Sequence, residues 1–189
     1  GLNRDRYPAE WSWAYGVGEA GWAELRRFVE DGGTLLAIGD SVATARQLAN
    51  LPITPALPSD EHEFYSPGSI LSQRFDTSDP VAWGMRPDTP VWFGENDQAY
   101  TVSAGDVVSS FPESGEQLQS GWLIGGEHLN GKANVVKHRV GAGLIVTFGS
   151  EPTFRTWSRD PSKLLFNAIY HGPSTSVQPS AVPAALLGG

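Results

Sequence analysis

The stretch that decides the fold is "LLAIGDSVATA", which runs from Leu35 to Ala45. It begins with apolar residues that do not alternate with polar ones, as expected for a strand buried on both faces of a parallel sheet. The following residues, "SVATARQLAN" at 41–50, have helical composition and end before a proline. Gly-Asp-Ser therefore lies where a strand turns into a helix, a position at which hydrolases place a nucleophilic serine.

The residues before this stretch predict another helix. The segment "EAGWAELRRFVEDGG", residues 19–33, places its apolar side chains on one helical face and its arginines on the other. Its Gly-Gly pair favours a helix end, because glycine adopts the left-handed conformation found there. Helix, buried strand and helix make one turn of a doubly wound sheet, so an α/β fold with parallel strands is predicted.

The C-terminal half predicts a β-hairpin and a last helix. Residues 132–149, "KANVVKHRVGAGLIVTFG", contain two β-rich arms around a Gly-Ala-Gly turn. Residues 161–172, "PSKLLFNAIYHG", predict a helix that stops at Gly172 and turns Leu164, Leu165, Ala168 and Ile169 inward. We therefore expect one domain over residues 1–172 and a Pro/Ser/Ala-rich tail or linker over residues 173–189.

The composition excludes several classes of function. The chain has 189 residues, no cysteine and a net charge of -8. The length suits one domain, and the missing cysteines exclude disulfides, Cys-ligated zinc and a thiolate nucleophile. The negative charge opposes a surface that binds nucleic acid, and apolar runs of five to six residues are far shorter than the roughly 20 that span a bilayer. The chain begins Gly-Leu-Asn without an initiator methionine, which favours a piece of a longer protein.

The serine at position 41 is the first candidate for chemistry. Gly39-Asp40-Ser41-Val42-Ala43 nearly matches the G-x-S-x-G nucleophile elbow. The "GDS" string also resembles the opening signature of SGNH (GDSL) esterases. Residues 94–97, "GEND", resemble the G-x-N-D block that supplies an oxyanion-hole asparagine in that family. A serine esterase or hydrolase would use Ser41 as nucleophile, Asn96 as oxyanion donor, and His62 or His128 as base.

A suitable base is the weak point of that hypothesis. A serine hydroxyl is a poor nucleophile until a neighbouring imidazole removes its proton. SGNH enzymes carry a D-x-x-H near the C-terminus, and this chain has none. His138 alternates with apolar residues and is expected to face solvent, while His171 lies at a helix end that favours positive charge. The preferred interpretation is that Ser41 is the N-cap of a helix.

No metal site is predicted from the histidines. No pair of them has metal-ligand spacing, and neither H-x-x-E nor H-E-x-x-H occurs. Glu61-His62-Glu63 is interpreted as an acidic, solvated loop. A third hypothesis is a binding module in which the aromatic N-terminal loop and Tyr65 engage a peptide or glycan.

Longer segments resemble a class I glutamine amidotransferase-like domain. They include "GEAGWAELRRFVEDGGTLLAIG", "SGWLIGGEHLNGKANVV" and "GAGLIVTFGSEPTFR", and the resemblance covers nearly all of residues 7–172. The most similar version lies C-terminal to the catalytic domain of bacterial zinc-carboxypeptidase-like proteins. The resemblance implies a flavodoxin-like three-layer α/β sandwich whose sheet is mostly parallel, with an added β-hairpin. Such a domain would normally start with a strand before "RYPAEW", either within the first residues or upstream of them.

The resemblance also implies a partner and a role. The partner would be an upstream peptidase domain of the same chain, which would hold the zinc, and this segment would hold no cofactor. The role would be that of an accessory domain for structural support, peptide capture or protein association. A secreted or periplasmic location is suggested by the resemblance only, and the oligomeric state stays open.

The resemblance further implies a degenerate active site. Active relatives use the Cys of G-x-C-x-G and the His of F-H-P-E. Ser41 takes the Cys place, Gly149 in "FGSE" takes the His place, and Glu151 matches the triad Glu. A serine without a base does not form a triad, so no catalytic residue is expected. A vestigial ligand pocket would lie at the strand ends, around Gly16, Gly18, Asp40, Ser41, Gly149, Glu151 and Arg155.

Overall fold

The computed structural model describes residues 6–14 and 16–176. Three α-helices are present in this part of the chain: α1 (Gly18–Glu30), α2 (Ser41–Ala49) and α3 (Ser162–Ser176). The strands are β1 (Thr34–Ile38), β2 (Ile53–Pro55), β3 (Ser69–Phe75), β4 (Asp88–Phe93), β5 (Tyr100–Val102), β6 (Asp106–Ser110), β7 (Leu118–Ser120), β8 (Ala133–Val140) and β9 (Gly143–Phe148). Short 3₁₀ helices span Ala9–Ala14, Pro80–Ala82, Gly126–Leu129 and Phe154–Thr156.

The predicted order of helix, strand and helix is confirmed by α1, β1 and α2, although within β1 only Ala37 is fully buried. The end of α1 follows the expected chemistry, since Gly32 has a φ of 112° and its N–H donates to the carbonyl of Val29. Among the described residues, no helix combines the length and apolar character that crossing a bilayer would require.

The prediction of a mostly parallel, flavodoxin-like sheet is wrong. The central path of the nine-stranded sheet runs β1-β9-β8-β6-β3-β4, and β2, β5 and β7 pair at its side. Within the described residues, β1 and β9 form the one parallel pair, with Thr34 opposite Leu144 and Ile38 opposite Phe148. The other pairings are antiparallel. The chain thus forms an α/β fold on a mixed, mainly antiparallel sheet.

The connections explain this difference. A parallel neighbour needs a crossover of a dozen or more residues, usually through a helix, whereas antiparallel strands can follow one another through short loops. Between α2 and α3 the chain contains β-strands and short 3₁₀ turns, and no further α-helix. The predicted hairpin is confirmed as β8 and β9, joined through Val140 and Gly143. It lies inside the sheet, next to β1, instead of being added to a parallel core.

The core lies on both faces of the sheet around β1 and β9. Side chains alternate between the faces of a strand, so Ala37 and Ile145 pack toward α1 and α2. Leu144 and Val146 pack with Leu164 of α3 on the opposite face. A third cluster joins Phe64, Leu71, Phe93, Ala99, Phe111 and Leu129 beyond the helices. Helices α1 and α2 on one face, and α3 on the other, hold β1 and β9 in place.

Two expectations about side chains differ from the structure. His138 is 3% exposed, and neither of its ring nitrogens has a hydrogen-bond partner among the described residues, so it does not face solvent. Burial lowers the pKa of His138, and the nearby Asp106 carboxylate opposes this shift. Ile169 was expected to face inward but is 48% exposed. Helix α3 continues past Gly172 to Ser176, and residues 177–189 of the predicted tail lie outside the described residues.

Candidate functional site

A crevice opens where β1, β9 and β4 end. Asp40 follows β1, Glu151 follows β9, and residues 94–97 follow β4. The Gly39 N–H donates to the Phe148 carbonyl at 2.9 Å, which holds the ends of β1 and β9 together. The larger of two lobes has a volume of about 500 Å³ and is lined by Ile38, Gly39, Asp40, Pro67, Trp92, residues 94–97, Glu151, Thr153 and Phe154. The smaller lobe, of about 320 Å³, is lined by Asp40, residues 57–59, Glu61, residues 64–66 and residues 95–98.

The Ser41 hydroxyl is bound to the main chain of the preceding strand. It donates to the Ile38 carbonyl at 2.8 Å and accepts from the Ile38 N–H at 2.7 Å. Ser41 is the first residue of α2, and Asp40 is the N-cap, with no side-chain capping bond. The N-cap interpretation of Ser41 is therefore wrong. The hydroxyl closes the turn between β1 and α2 instead of binding the free N–H groups of the helix.

The histidines proposed as bases do not meet this serine through a hydrogen bond. Within the described residues, both hydrogen bonds of the Ser41 hydroxyl go to Ile38, and no histidine lines either lobe of the crevice. His62 is exposed in a turn where its N–H donates to Asp60. His128 lies in the 3₁₀ helix Gly126–Leu129. Asn96, the proposed oxyanion donor, lines both lobes.

Gly149, at the place of the family's histidine, has no room for a side chain. A Cβ atom at this position would lie 2.1 Å from the Gln98 carbonyl oxygen and 2.9 Å from Nδ2 of Asn134. The main chain is fixed on both sides, because Gly149 N–H donates to the Asn134 carbonyl and Gln98 N–H donates to the Gly149 carbonyl, both at 2.8 Å. Glycine is required here by close backbone packing.

The larger lobe is lined by several carboxylates and, among the described residues, by no basic side chain. Asp40, Glu95, Asp97 and Glu151 line it, and in the described part of the chain none of them forms an ion pair. Burial, together with smaller contributions from the Glu151 and Asp40 carboxylates, raises the pKa of Asp97 to about 6. The Gly94 N–H opposes this shift by donating to Asp97 Oδ2 at 2.7 Å. Negative charge in this lobe is therefore uncompensated.

An aromatic cluster forms one wall of the larger lobe. The rings of Trp92 and Phe154 stack with centroids 4.2 Å apart, and Trp157 meets both edge to face. The Arg155 guanidinium lies over the Phe154 ring, 5.4 Å from its centroid. Arg155 and Thr156 both have positive φ, 46° and 55°, which non-glycine residues seldom adopt. This wall combines apolar surface with a tight turn after β9.

The structure brings together part of the predicted pocket. Asp40 and Glu151 line the larger lobe. Ser41 and Gly149 lie behind it, shortly after the ends of β1 and β9, at positions that we call the β1 exit and the β9 exit. Neither Gly16 nor Gly18, which begins α1, lines either lobe. Arg155 reaches the site only through Phe154, which its guanidinium covers.

Sequence reasoning assigned no role in the site to Trp92, Phe154 or Asp97. Asp97 ends the "GEND" run, so that run did signal the site, although it drew attention to Asn96. Trp92 and Phe154 lie 62 positions apart with no shared pattern.

The described residues, 6–14 and 16–176, contain no group of three or more His, Cys, Asp or Glu side chains arranged to hold a metal ion. The four carboxylates of the larger lobe therefore do not form such a group.

Comparison with known proteins supports the fold and nothing finer. No family model matches the chain, and no curated protein matches it. Among solved structures, a cytoplasmic protein of Salmonella typhimurium is similar at a TM-score of 0.53 and 15% identity, over 86% of this chain and 64% of that one. A β-galactosidase from Bacillus circulans sp. alkalophilus has a TM-score of 0.50 and 15% identity, over 81% of this chain and 21% of that one.

A putative GMP synthase component from Thermoplasma acidophilum has a TM-score of 0.48 and 9% identity, over 80% of this chain and 66% of that one. A match at this level carries no argument about this chain. The chain spans less than two thirds of the Salmonella protein and about a fifth of the β-galactosidase. None of these three proteins is described as a carboxypeptidase.

Proposed function

We propose that this chain is a non-catalytic accessory domain of a larger protein, with a degenerate amidotransferase-type site. The observation that carries the proposal is the hydrogen bonding of the Ser41 hydroxyl. Its proton is donated to the Ile38 carbonyl, and its oxygen accepts the Ile38 N–H. A nucleophile must instead give its proton to a base positioned within about 2.6–3.2 Å.

The end of β9, where Gly149 lies, supports the same conclusion. In the amidotransferase resemblance, Gly149 takes the place of the base and Glu151 that of its orienting acid. A side chain at position 149 would collide with the Gln98 carbonyl, so this backbone has no space for an imidazole. Without a histidine between them, Ser41 and Glu151 do not form a triad. The elbow would persist because it joins β1 to α2.

A fluorophosphonate probe tests this proposal directly. We expect no covalent labelling of the native chain at neutral pH, because no imidazole activates Ser41. The Ser41→Ala variant provides the control, and a boiled sample measures non-specific reaction. Labelling of the native protein that disappears in Ser41→Ala would overturn the proposal and establish the serine hydrolase hypothesis.

The parent protein is proposed to be zinc-carboxypeptidase-like, with its zinc in an upstream peptidase domain. This part rests on the sequence resemblance over residues 7–172. Sequencing the complete gene is the test. An upstream segment that carries H-x-x-E zinc ligands would support the proposal, and a different upstream domain would reject the peptidase context while leaving the accessory role intact.

A second candidate function, a binding module, is favoured by the crevice. A lobe of about 500 Å³ with carboxylates, Trp92 and Phe154 offers acceptors for a basic group beside an apolar wall. A lysine- or arginine-containing peptide fits this chemistry better than an acidic one. Titration with a basic peptide and with its glutamate counterpart, in the native chain and in Asp40→Asn/Glu151→Gln, would test it. Equal binding of the two peptides would reject it.

A further inference from the structure

Asn130 is the one asparagine of this chain that precedes a glycine. The Asn130–Gly131 pair follows the 3₁₀ helix Gly126–Leu129 and leads into β8. An asparagine side-chain amide reacts with the main-chain nitrogen of the next residue, and glycine offers the least steric hindrance because it has no Cβ. The sequence therefore indicates a site of spontaneous deamidation at this position.

The reaction needs water and no other reactant. Hydroxide removes the proton of the Gly131 N–H, and the nitrogen bonds to Cγ of Asn130. The side-chain amide nitrogen leaves as ammonia after taking a proton from water. A second water then opens the five-membered imide at one of its two carbonyls. The products are aspartate, or isoaspartate, in which the main chain runs through Cβ and Cγ.

The structure holds the attacking nitrogen away from this reaction. The Gly131 N–H donates to the Pro112 carbonyl at 3.2 Å. Asn130 has a ψ of 120°, which turns the Gly131 nitrogen away from the Asn130 side chain. Ring closure therefore requires rotation about the Cα–C bond of Asn130 and loss of the hydrogen bond to Pro112.

Gln117 holds the group that would be attacked. This residue is 3% exposed, and its Nε2 donates to Asn130 Oδ1 at 2.8 Å and to the Pro112 carbonyl at 3.0 Å. One amide group thus binds both the side chain that would be attacked and the carbonyl that accepts the attacking N–H. Separating these groups costs free energy, because buried polar groups lose their hydrogen-bond partners.

The contacts that restrain Asn130 come from the loop between β6 and β7. Residues 113–116 of this loop are exposed, whereas Gln117 is buried. Glu113 lies directly against Gly131, since a Cβ atom at position 131 would be 2.5 Å from Glu113 Oε2. Exposed loops open more often than the core of a protein. Movement of residues 112–117 is therefore the local opening that would free Gly131.

We propose that Asn130 is a deamidation site whose reaction waits for residues 112–117 to move away from Gly131, with Gln117 as the positioning residue. Conversion to aspartate adds a carboxylate beside a loop that already carries Glu113 and Glu116. Conversion to isoaspartate lengthens the main chain next to Gly131 and displaces its N–H from the Pro112 carbonyl. This inference goes beyond the proposed function, since it rests on neither the crevice nor Ser41.

Incubation in a mildly alkaline buffer, followed by mass spectrometry of the peptide that contains Asn130, tests the proposal. The folded chain should deamidate at least about tenfold more slowly than the chain unfolded in urea. Gln117→Met removes two donated hydrogen bonds and keeps a side chain of similar length. It should accelerate the reaction of the folded chain by about tenfold.

Ser41→Ala is the matched control. It also removes two hydrogen bonds, those between the Ser41 hydroxyl and the Ile38 main chain, but it leaves residues 112–117 untouched. The deamidation rate of Asn130 in this variant should equal that of the native chain. Urea denaturation of both variants establishes that each is folded and that they are destabilised to a similar extent.

Three outcomes would overturn the proposal. Equal rates in the folded and unfolded chains would show that the fold does not restrain Asn130, and an unchanged rate in Gln117→Met would show that Gln117 does not. Equal acceleration in Ser41→Ala would show that the reaction proceeds through global unfolding.

Hydrogen exchange at the Gly131 N–H gives a second measurement that needs no variant. In the native chain, exchange and deamidation should rise in parallel as dilute urea is added, because both require the same opening. Exchange that rises while deamidation stays constant would exclude movement of residues 112–117 as the controlling step.

Discussion

The exits of β1 and β9 lie side by side, yet the residues at the two exits are constrained in different ways. At the β1 exit, Ser41 keeps a reactive type of side chain, but the main chain of Ile38 holds its hydroxyl. At the β9 exit, Gly149 has no side chain because the Gln98 carbonyl occupies the space. The first exit retains a group that hydrogen bonds restrain, whereas the second excludes any group by packing. Placing any side chain at position 149 would thus require a new backbone path and not only a new residue.

The strongest test of this difference is Gly149→Ala. The added Cβ would lie 2.1 Å from the Gln98 carbonyl oxygen, which accepts a hydrogen bond from Asn134 Nδ2. The Gln98 N–H in turn donates to the Gly149 carbonyl, so the two backbone segments are held close together. We expect a loss of about 4 kcal/mol or more in the free energy of unfolding, measured by urea denaturation.

Gly94→Ala is the matched control in the same crevice. Its Cβ would meet Trp92 Nε1 at 3.4 Å, which is close to ordinary contact. A change within about 0.5 kcal/mol is expected. Similar effects for the two substitutions would contradict the claim that the β9 exit is closed by packing.

The charge between the two exits should appear as a pH dependence of stability. Burial raises the pKa of Asp97 from 3.8 in the unfolded chain to about 6 in the folded one. A raised carboxyl pKa favours folding below pH 3.8, and this contribution is lost as the pH rises through about 6. The linked free energy is roughly 3 kcal/mol.

Asp97→Asn removes the titration and keeps an oxygen that can accept the Gly94 N–H. Relative to this variant, the native chain should lose stability between about pH 4 and about pH 6.5 in urea denaturation. Parallel stability curves over that range would show that the pKa of Asp97 is not raised in the folded chain.

The hydroxyl at the β1 exit should contribute to stability and not to catalysis. Ser41→Ala removes one donor and one acceptor for the Ile38 main chain. We expect a loss of about 1–2 kcal/mol in the free energy of unfolding. Ser41→Thr keeps the hydroxyl and should recover most of that loss. If Ser41→Ala were as stable as the native chain, the two hydrogen bonds would not be closing this turn.

The smallest expected effect concerns the turn beyond the β9 exit. Thr156 has a φ of 55°, where a β-branched residue is strained, so Thr156→Gly should stabilise the protein by up to about 1 kcal/mol. The control is Thr153→Gly, because Thr153 has a φ of -116° and gains nothing from glycine. Thermal denaturation of both variants compares them. Destabilisation of equal size at both positions would argue against strain at Thr156.

The sequence predicted local structure better than sheet topology. The periodicity of residues 19–33, the apolar run before Gly39 and the turn at residues 141–143 each reflect interactions within a few neighbouring positions, and the corresponding α1, β1 and β8–β9 hairpin are present. Strand direction depends instead on partners that are distant in sequence. The sequence of a short β-prone run between prolines and glycines does not indicate which other strand it will pair with.

The candidate site was predicted only in part, because some of its residues meet through contacts that are distant in sequence. Asp40 and Glu151 follow strands, and strand ends are where α/β folds gather ligand sites, so both residues could be named from the sequence. Trp92 and Phe154 meet only after β4 and the turn beyond β9 have folded against each other. The steric role of Gly149 also depends on Gln98 and Asn134, neither of which is near it in the chain.

The pairing of β1 with β9 has a consequence for biosynthesis. These strands lie about 110 residues apart in the chain, and the crevice needs both, together with residues 94–97. At a synthesis rate of about 5–20 residues per second, β1 would wait roughly 5–20 s for its partner to emerge from the ribosome. During this interval the apolar residues of β1 would depend on α1 and α2 for cover. The amphipathic helices before and after "LLAIG" would thus cover apolar residues of β1 during synthesis as well as in the folded protein.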